Sequence, residues 1–155
     1  MDQKILDQQS QHWEKSFSSK PEMFGLEPSF SAKIALEKFK KNNVKHIIEL
    51  GAGLGRDTIF FAKNSIKVTA LDFSSTAIET IKIKSINLGI SDFIHTQVHD
   101  LRKKLNFKED SFEGCYSHML YCMAFTHSEI ENLNDEICRV LKKEAINIYT
   151  VRNYT

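Results

Sequence analysis

The sequence predicts an α/β fold built on a mainly parallel sheet. Short apolar and β-branched runs alternate with longer segments in which apolar residues recur at helical spacing, and this alternation is typical of β–α–β units. The first such run, 46–50, breaks into alternating glycines, and the second, 67–72, ends on an acid. With 155 residues, the chain is long enough for one domain and leaves no room for a second.

The composition argues against several classes of protein. The 21 basic and 20 acidic residues balance, so no basic footprint for nucleic acid is present. No apolar run approaches the roughly 20 residues of a membrane span, and the polar N-terminus lacks the apolar core of a signal peptide. The three cysteines lack Cys-x-x-Cys spacing, which favours reduced thiols over disulfides or a metal site. We therefore expect a cytoplasmic protein that has no bound metal and does not associate with membranes.

The first 28 residues are predicted to form an N-terminal helical arm. A helix is expected over roughly 5–17, followed by an extended stretch that prolines and glycine interrupt. Trp13, Phe17 and Phe24 are isolated large residues in this polar segment. Two interpretations remain open, because the arm either packs on the domain as a structural terminus or covers a ligand as a lid.

Five strands are expected between residues 29 and 155, which form the predicted ligand-binding domain. Ser29 or Ser31 can cap the helix that precedes the first strand. The helix after the glycines is expected over 56–62, with Ile59 and Ala62 turned inward. The predicted strands are 46–50, 67–72, 93–98, 114–118 and 145–151.

The two later helices carry capping-box spacing, in which a hydroxyl residue precedes an acid by three positions. The pairs are Thr76 with Glu79 and Thr126 with Glu129. The first of these helices is expected to stop at Gly89. The last helix should end in a basic turn that suits its dipole. That turn comprises Arg139, Lys142 and Lys143.

The glycine-rich loop indicates a ligand that contains a nucleotide. Gly51, Gly53 and Gly55 remove side chains where the backbone must turn and approach a ligand closely. The helix that follows directs backbone N–H groups toward an anion. The dinucleotide fingerprint requires its third glycine where this chain has Arg56, so a nicotinamide or flavin enzyme is disfavoured. A P-loop is disfavoured as well, because no lysine follows the glycines.

Residues 49–55, Glu-Leu-Gly-Ala-Gly-Leu-Gly, resemble the first motif of class I S-adenosylmethionine-dependent methyltransferases. The resemblance is to the small-molecule, type 11 kind, which includes ubiquinone-biosynthesis enzymes. It implies a Rossmann-like three-layer α/β/α sandwich with strand order 3-2-1-4-5. It also implies S-adenosylmethionine as cofactor, S-adenosylhomocysteine as product and a small-molecule methyl acceptor.

Asp72 is the second candidate in the cofactor site. It lies about 20 residues beyond Gly51, the distance at which an acid ending the second strand reaches ribose hydroxyls. Phe73 is placed to stack on the adenine. The resemblance assigns the adenine amino group to Asp100, and Arg56 at the start of the helix is placed to meet the carboxylate of the cofactor. The predicted cofactor-binding residues are Glu49, Gly51, Ala52, Gly53, Gly55, Arg56, Asp57, Asp72, Phe73, Asp100, Leu101 and Ser117.

His118 is the candidate general base. It ends the fourth predicted strand, where open α/β folds bind ligands, and histidine titrates near neutral pH. Tyr116 and Tyr121 are weaker candidates. The other interpretation makes His118 a wall of the pocket, because methyl transfer to a good nucleophile needs no base.

The end of the sequence departs from the family pattern. Residues 142–145 replace the usual Lys-Pro-Gly-Gly turn, and the sequence ends at Thr155 without the family's C-terminal hairpin, strands 6 and 7. An exposed fifth strand suggests a homodimer through that edge. Two functions therefore remain open: a small-molecule methyltransferase, or a truncated, catalytically inactive domain that binds S-adenosylmethionine or S-adenosylhomocysteine.

Overall fold

The computed structural model describes the backbone of residues 3–153 and the side chains of residues 8–153. Within this part of the chain, five strands form one sheet in the order β3-β2-β1-β4-β5, and every neighbouring pair is parallel. The predicted fold class and strand order are confirmed. The strands are β1 (His46–Leu50), β2 (Lys67–Asp72), β3 (Ile94–Val98), β4 (Phe112–His118) and β5 (Leu141–Thr150).

Helices cover both faces of the sheet. They are α1 (Gln3–Ser19), α2 (Phe30–Lys41), α3 (Arg56–Lys63), α4 (Ser75–Asn87) and α5 (His127–Val140), with short 3₁₀ turns at Ser91–Phe93 and Leu120–Cys122. Side chains of α2, α3 and α4 pack with Ile47 and Tyr116 on one face. Side chains of α5 pack with Ile48 and Cys115 on the other face. Successive strand residues point to opposite faces, so this alternation produces the three predicted layers.

The start of α4 differs from the prediction. Ser74 is the N-cap, and its hydroxyl accepts from the Ala77 amide at 3.0 Å. Thr76 lies inside the first turn, where its amide donates to the Glu14 carboxylate of α1 at 3.2 Å. The helix begins early because the Asp72 carboxylate accepts from the Ser74 amide at 2.9 Å and closes a tight turn directly after β2. The helix ends at Asn87 with Leu88 as its C-cap, and Gly89 follows with φ of 65°, so the predicted stop at Gly89 is confirmed.

The junction of α5 and β5 also differs. The Thr126–Glu129 capping box is confirmed, but α5 ends at Val140 and β5 begins with the next residue. Lys142 and Lys143 therefore lie in the strand, and only Arg139 is in the last helical turn. The early start of β5 reflects pairing of Leu141 with Phe112, followed by a register shift before Gly114 pairs with Ile146.

Three smaller differences concern element ends and one buried face. Strand β3 starts at Ile94, one residue later than predicted, and β4 starts at Phe112, two residues earlier. In α3, Phe61 is buried in place of Ile59, which is only half-buried, while Ala62 is buried as predicted. None of the helices in residues 3–153 is long and apolar enough to span a membrane.

Candidate functional site

A cleft of about 490 Å³ opens at the carboxyl edge of the sheet. The glycine loop, the ends of β1, β2 and β4, the arm and the loop 119–125 surround it. Every site residue predicted from the sequence lines this cleft except Gly55 and Ser117. Among the described residues, no group of three or more His, Cys, Asp or Glu is arranged to hold a metal ion.

The glycine loop is held in place by its own backbone. The amides of Gly51 and Ala52 both donate to the Leu71 carbonyl, at 2.9 and 3.0 Å, so the loop is tied to the end of β2. Gly51 and Gly53 adopt positive φ angles of 71° and 54°. A Cβ on Gly51 would lie 3.2 Å from Leu120 on the opposite side of the cleft. The absent side chains therefore keep the floor of the cleft open.

Gly55 serves packing rather than the cleft. It is the N-cap of α3 with φ of 80°, and a Cβ there would lie 2.5 Å from Ile81 Cγ1 of α4. The third glycine of the motif thus permits close contact between α3 and α4, and its predicted contact with the cofactor stays a prediction.

Gly55→Ala is expected to destabilise the fold by about 2–4 kcal/mol, because left-handed backbone strain adds to overpacking against Ile81. Gly89→Ala is the matched control, since Gly89 has φ of 65° but nothing within 4 Å of a built Cβ. Urea unfolding of both variants measures the difference. Equal losses of stability would contradict the packing role of Gly55.

Ser117 is the other predicted site residue outside the cleft. It is 2% exposed, and strand alternation turns its side chain to the same face as Cys115. His118 shares the opposite face with Tyr116 and lines the cleft. Ser117 therefore does not line the cleft, and its contact with the cofactor stays a prediction.

Asp72 lies at the end of β2 beside the glycine loop and is 5% exposed. Its two oxygens accept from the Gly53 amide at 2.8 Å and from the Ser74 amide at 2.9 Å. Burial raises the pKa of this carboxyl despite those hydrogen bonds. Each carboxylate oxygen accepts more than one hydrogen bond, so Asp72 keeps acceptor capacity toward the cleft.

Glu49 closes β1 and is 3% exposed. The Thr58 hydroxyl of α3 donates to its carboxyl at 2.6 Å. Burial raises the pKa of Glu49 to about 8, which makes the group largely neutral at pH 7. The wall of the cleft therefore contains a buried acid that a cationic ligand group would ionise.

The raised pKa of Glu49 predicts how stability varies with pH. Between the ordinary carboxyl value near 4.5 and about 8, the folded chain binds a proton that the unfolded chain has released. Stability should therefore fall as pH rises through this window, by up to about 1.4 kcal/mol per unit. Glu49→Gln keeps an acceptor for the Thr58 hydroxyl. It should remove the part of the pH-dependent loss of stability that Glu49 causes. Urea unfolding at pH 5, 6, 7 and 8 tests this, and parallel wild-type and variant curves would contradict it.

Asp57 is the centre of a buried hydrogen-bond cluster. Its oxygens accept from the Ser29 amide at 2.8 Å, the Ser29 hydroxyl at 2.6 Å, the Tyr116 hydroxyl at 3.0 Å and Arg56 Nε at 3.0 Å. Burial opposes ionisation, but the hydrogen bonds from Arg56 and Ser29 and the charge of Arg56 lower the pKa of Asp57. Asp57 thus borders the cleft with both oxygens engaged, and it joins α2, α3 and β4.

Arg56 and Asp100 have ion-pair partners at the rim. Arg56 pairs with Asp57, and its Nη1 donates to the Phe24 carbonyl of the arm at 3.2 Å. Asp100 pairs with Arg102 at 2.8 Å, and its side chain is 27% exposed. Burial would raise the pKa of Asp100, but the hydrogen bonds from Arg102 lower it. Asp100 therefore presents an ionised carboxylate at the cleft.

His118 faces the cleft from the end of β4. Its Nδ1 lies 3.0 Å from the Ser31 hydroxyl and 2.9 Å from the Thr150 hydroxyl. Burial lowers the pKa of the ring, with a smaller raising effect from Asp57 and a lowering effect from Arg56. A neutral imidazole at neutral pH has the protonation state that a general base requires.

The two tyrosines are poor bases in this structure. Burial raises the pKa of Tyr116, whose hydroxyl is enclosed by the Asp57 cluster. Burial also raises the pKa of Tyr121 to about 12, and its hydroxyl donates to Asn134 of α5 at 2.8 Å. Of the three candidates, His118 alone combines contact with the cleft and a pKa suited to accepting a proton.

The N-terminal arm contributes residues that the sequence did not reveal. Its helix packs on α4, where the Glu14 carboxylate accepts from the Thr76 amide and hydroxyl. Across the cleft, the Gln9 side-chain oxygen accepts from the Ala124 amide at 3.0 Å. Phe17 is buried against Gly53, the nearest ring atom being 3.7 Å from a Cβ built there.

Three aromatic residues of the arm form one wall of the cleft. Trp13 lies 5.4 Å from Phe17 and 6.4 Å from Phe24, measured between ring centroids. All three line the cleft together with sulfur-bearing side chains of the opposite loop. Those side chains belong to Met119, Cys122 and Met123. Gln9 and Glu14 could not be identified from sequence, because a polar residue in a polar helix has no local pattern that marks it.

Comparisons with known proteins agree with the fold. A family model described as "Methyltransferase domain" matches residues 47–144. Phosphoethanolamine N-methyltransferase 1 of Triticum aestivum is 30% identical over 139 residues, which are 89% of this chain and 24% of the relative. The chain therefore spans about a quarter of the length of that curated relative.

Two solved structures illustrate the fold. Geranyl diphosphate C-methyltransferase from Streptomyces coelicolor A3(2) superposes with a TM-score of 0.62 at 14% identity, over 76% of this chain and 43% of that chain. The [4+2]-cyclase SpnF superposes with a TM-score of 0.69 at 16% identity, over 86% of this chain and 55% of that chain. At these identities the likeness shows the fold alone, and the fold supports more than one reaction.

The fold and the family match together define the class of protein, a methyltransferase domain with a Rossmann-like α/β/α fold. The chain belongs to the family of methyltransferase domains, because the matched segment covers more than half of its length.

Proposed function

We propose that this chain binds S-adenosylmethionine in the cleft and transfers its methyl group to a small-molecule acceptor. The observation that carries the proposal is the pair of buried acids, Glu49 and Asp72, on either side of the glycine loop. Neither carboxyl has a salt-bridge partner among residues 8–153, and two such buried groups are costly unless a ligand uses them. A nucleoside with a cationic amino acid tail carries the hydroxyls and the ammonium that they would bind.

Along the carboxyl edge of the sheet, successive residues of the cleft match successive groups of that ligand. Asp72 accepts hydrogen bonds from the ribose hydroxyls, and Glu49 ionises to hold the ammonium group. Arg56 meets the carboxylate of the tail while it stays paired with Asp57. At the far end, Asp100 accepts from the adenine amino group, and Phe73, which is 36% exposed, covers the ring.

The bound cofactor supplies a methyl group on a sulfonium centre, which favours an in-line displacement by a nucleophile. His118 accepts the proton of the methyl acceptor. Trp13, Phe17 and Phe24 supply an apolar wall on which cations bind well. The arm and the loop 119–125 face each other across the opening, where a ligand bound between them would be shielded from water.

A small acceptor fits the dimensions of this site. A cleft of about 490 Å³ lies within the usual range for small ligands, roughly 300–1,000 Å³. The name of the wheat relative also specifies a small phosphorylated amine as the acceptor of that protein. The near-neutral charge of this chain gives no added attraction for nucleic acid.

Acceptor-dependent formation of S-adenosylhomocysteine tests the proposal. The purified chain would be incubated with S-adenosylmethionine and a panel of small amines, thiols and phenols, and the product quantified by mass spectrometry. We expect at least one acceptor to raise the rate above the acceptor-free control. Binding of cofactor without turnover on any acceptor would instead identify a cofactor-binding domain without catalysis.

We also propose that residues 1–28 act as a lid. The Glu14 contact with α4 and the Gln9 contact with the loop 119–125 hold the arm over the cleft. Amide exchange along residues 8–19 should slow when S-adenosylhomocysteine is added. Exchange that is unchanged by saturating ligand would show that the arm is only a structural terminus.

Two further proposals concern the surroundings of the protein. Strand β5 is an edge strand with Tyr149 56% exposed, which supports pairing with a second copy through that edge. A monomeric mass by light scattering at high concentration would contradict it.

All three cysteines are free thiols, which supports a reducing compartment such as the cytoplasm. Fractionation of the producing cells tests that location.

A further inference from the structure

A row of hydroxyl groups, of which that of Tyr116 is on a buried residue and those of Ser29 and Ser31 are on partly buried ones, connects His118 to Asp57. Ser31 Oγ lies 3.0 Å from His118 Nδ1 and 2.9 Å from Tyr116 Oη, which in turn lies 3.0 Å from the Asp57 carboxylate. A second branch runs from Ser31 through the Ser29 hydroxyl, at 3.0 Å, to the same carboxylate, at 2.6 Å. Both branches lead from the ring to one acid that is 4% exposed.

The acid sets the direction of these hydrogen bonds. An ionised carboxylate only accepts, so the hydroxyl hydrogens of Tyr116 and Ser29 both point at Asp57. Their oxygens are then available as acceptors for the Ser31 hydroxyl. The Ser31 hydroxyl donates its hydrogen to one of these two oxygens. The Ser31 oxygen therefore accepts a hydrogen bond from Nδ1 of His118.

We propose that Asp57, acting through Tyr116, Ser29 and Ser31, fixes neutral His118 as the Nδ1–H tautomer and leaves the Nε2 lone pair as proton acceptor. The proposal rests on the methyl transfer proposed above and deepens it. Nδ1 keeps its proton throughout, and Nε2 takes the proton that leaves the acceptor. The imidazole thereby becomes an imidazolium, and the lone pair freed on the acceptor would form the bond to the methyl carbon. The carbon–sulfur bond of the sulfonium would break in the same step and leave its electron pair on sulfur, so that S-adenosylhomocysteine is released as a neutral thioether.

This assignment narrows the class of acceptor. A base in this form is useful to nucleophiles that carry a removable proton, such as protonated amines, thiols or phenols. A thioether or a tertiary amine already in its neutral form gains nothing from it. Asp57, Tyr116, Ser29 and Ser31 are positioning residues, because they act through the ring of His118.

Thr150 provides a matched control at the same nitrogen. Its hydroxyl lies 2.9 Å from His118 Nδ1 and accepts from the Met119 amide at 3.0 Å. Among the described residues, no hydrogen bond joins Thr150 to Asp57, Tyr116 or Ser29, so the Thr150 hydroxyl hydrogen is free to point at the ring. Removing the Ser31 hydroxyl leaves Thr150 as a donor to Nδ1, which favours the Nε2–H tautomer. Removing the Thr150 hydroxyl leaves the row to Asp57 complete.

Nitrogen-15 NMR of the full chain at pH 8, without cofactor or acceptor, tests the assignment. His118 would be identified by the signals that disappear in His118→Gln. We expect a protonated Nδ1 and an unprotonated Nε2 in the wild type and in Thr150→Val, and a shift toward the Nε2–H tautomer in Ser31→Ala. The dispersion of the backbone amide spectrum confirms that each variant is folded.

Two results would overturn the proposal. One is an Nε2–H tautomer in the wild type, which needs no variant to interpret. The other is an equal effect of Ser31→Ala and Thr150→Val on the ring. Because the measurement uses no cofactor, its outcome is separate from that of the turnover assay. A chain without methyltransferase activity can still show the expected tautomer.

Discussion

Asp72→Asn is expected to weaken binding of S-adenosylhomocysteine by about 1–3 kcal/mol, roughly 5- to 150-fold in Kd. The asparagine side chain has one acceptor oxygen, whereas Asp72 already uses both oxygens on the amides of Gly53 and Ser74. The amide group therefore presents hydrogens where the ribose hydroxyls require an acceptor. Calorimetric titration of both proteins measures the loss. Asp135→Asn is the matched control, since Asp135 is exposed on α5.

A second ligand separates the ribose contact from damage to the glycine loop. An analogue of S-adenosylhomocysteine that lacks both ribose hydroxyls should bind the wild type more weakly. It should then bind Asp72→Asn with nearly the same Kd as the wild type. If Asp72→Asn weakens both ligands equally, the residue supports the loop and does not hold the ribose.

His118→Gln is expected to lower kcat by about 100-fold or more, because positioned general bases contribute roughly 10²–10⁴-fold. Affinity for S-adenosylhomocysteine should stay within about twofold, since the residue acts on the acceptor. The defect should shrink at high pH, where the acceptor loses its proton without help. Steady-state rates across pH 6–10, with the acceptor found in the panel, measure these effects.

Tyr121→Phe is the matched control for this prediction. Tyr121 precedes a residue that lines the cleft, but its own hydroxyl is bound to Asn134. Its rate should therefore equal that of the wild type. A kcat for His118→Gln within a few fold of wild type at pH 7 would contradict the role of His118 as a base. The residue would then only line the pocket.

The fold was predictable because its signals are local. The β-branched runs ending in Gly51 and Asp72 mark two neighbouring parallel strands, and the glycine spacing limits the ligand. The strands as the structure has them differ from the prediction mainly at their ends. The start of β5 at Leu141 was missed because pairing with Phe112 across the sheet determines it.

The polar part of the site was less predictable because it depends on distant partners. Ser29, Asp57 and Tyr116 meet only after α2, α3 and β4 have packed together, across separations of 28 and 59 residues. Asp57 is a predicted cofactor-binding residue, and nothing in the sequence indicated that its oxygens accept hydrogen bonds from Ser29 and Tyr116. Gly55 shows the same effect, since its neighbour Ile81 belongs to a helix that begins 20 residues later.

Calorimetric titration of the chain with S-adenosylhomocysteine tests the central claim most directly. The account predicts saturable binding to a single site, together with a rise in Tm that grows with ligand concentration. It also predicts release of protons at pH 7, seen as a dependence of the heat on the buffer, because the ligand ammonium ionises Glu49. No binding heat and no change in Tm at millimolar ligand would contradict the account.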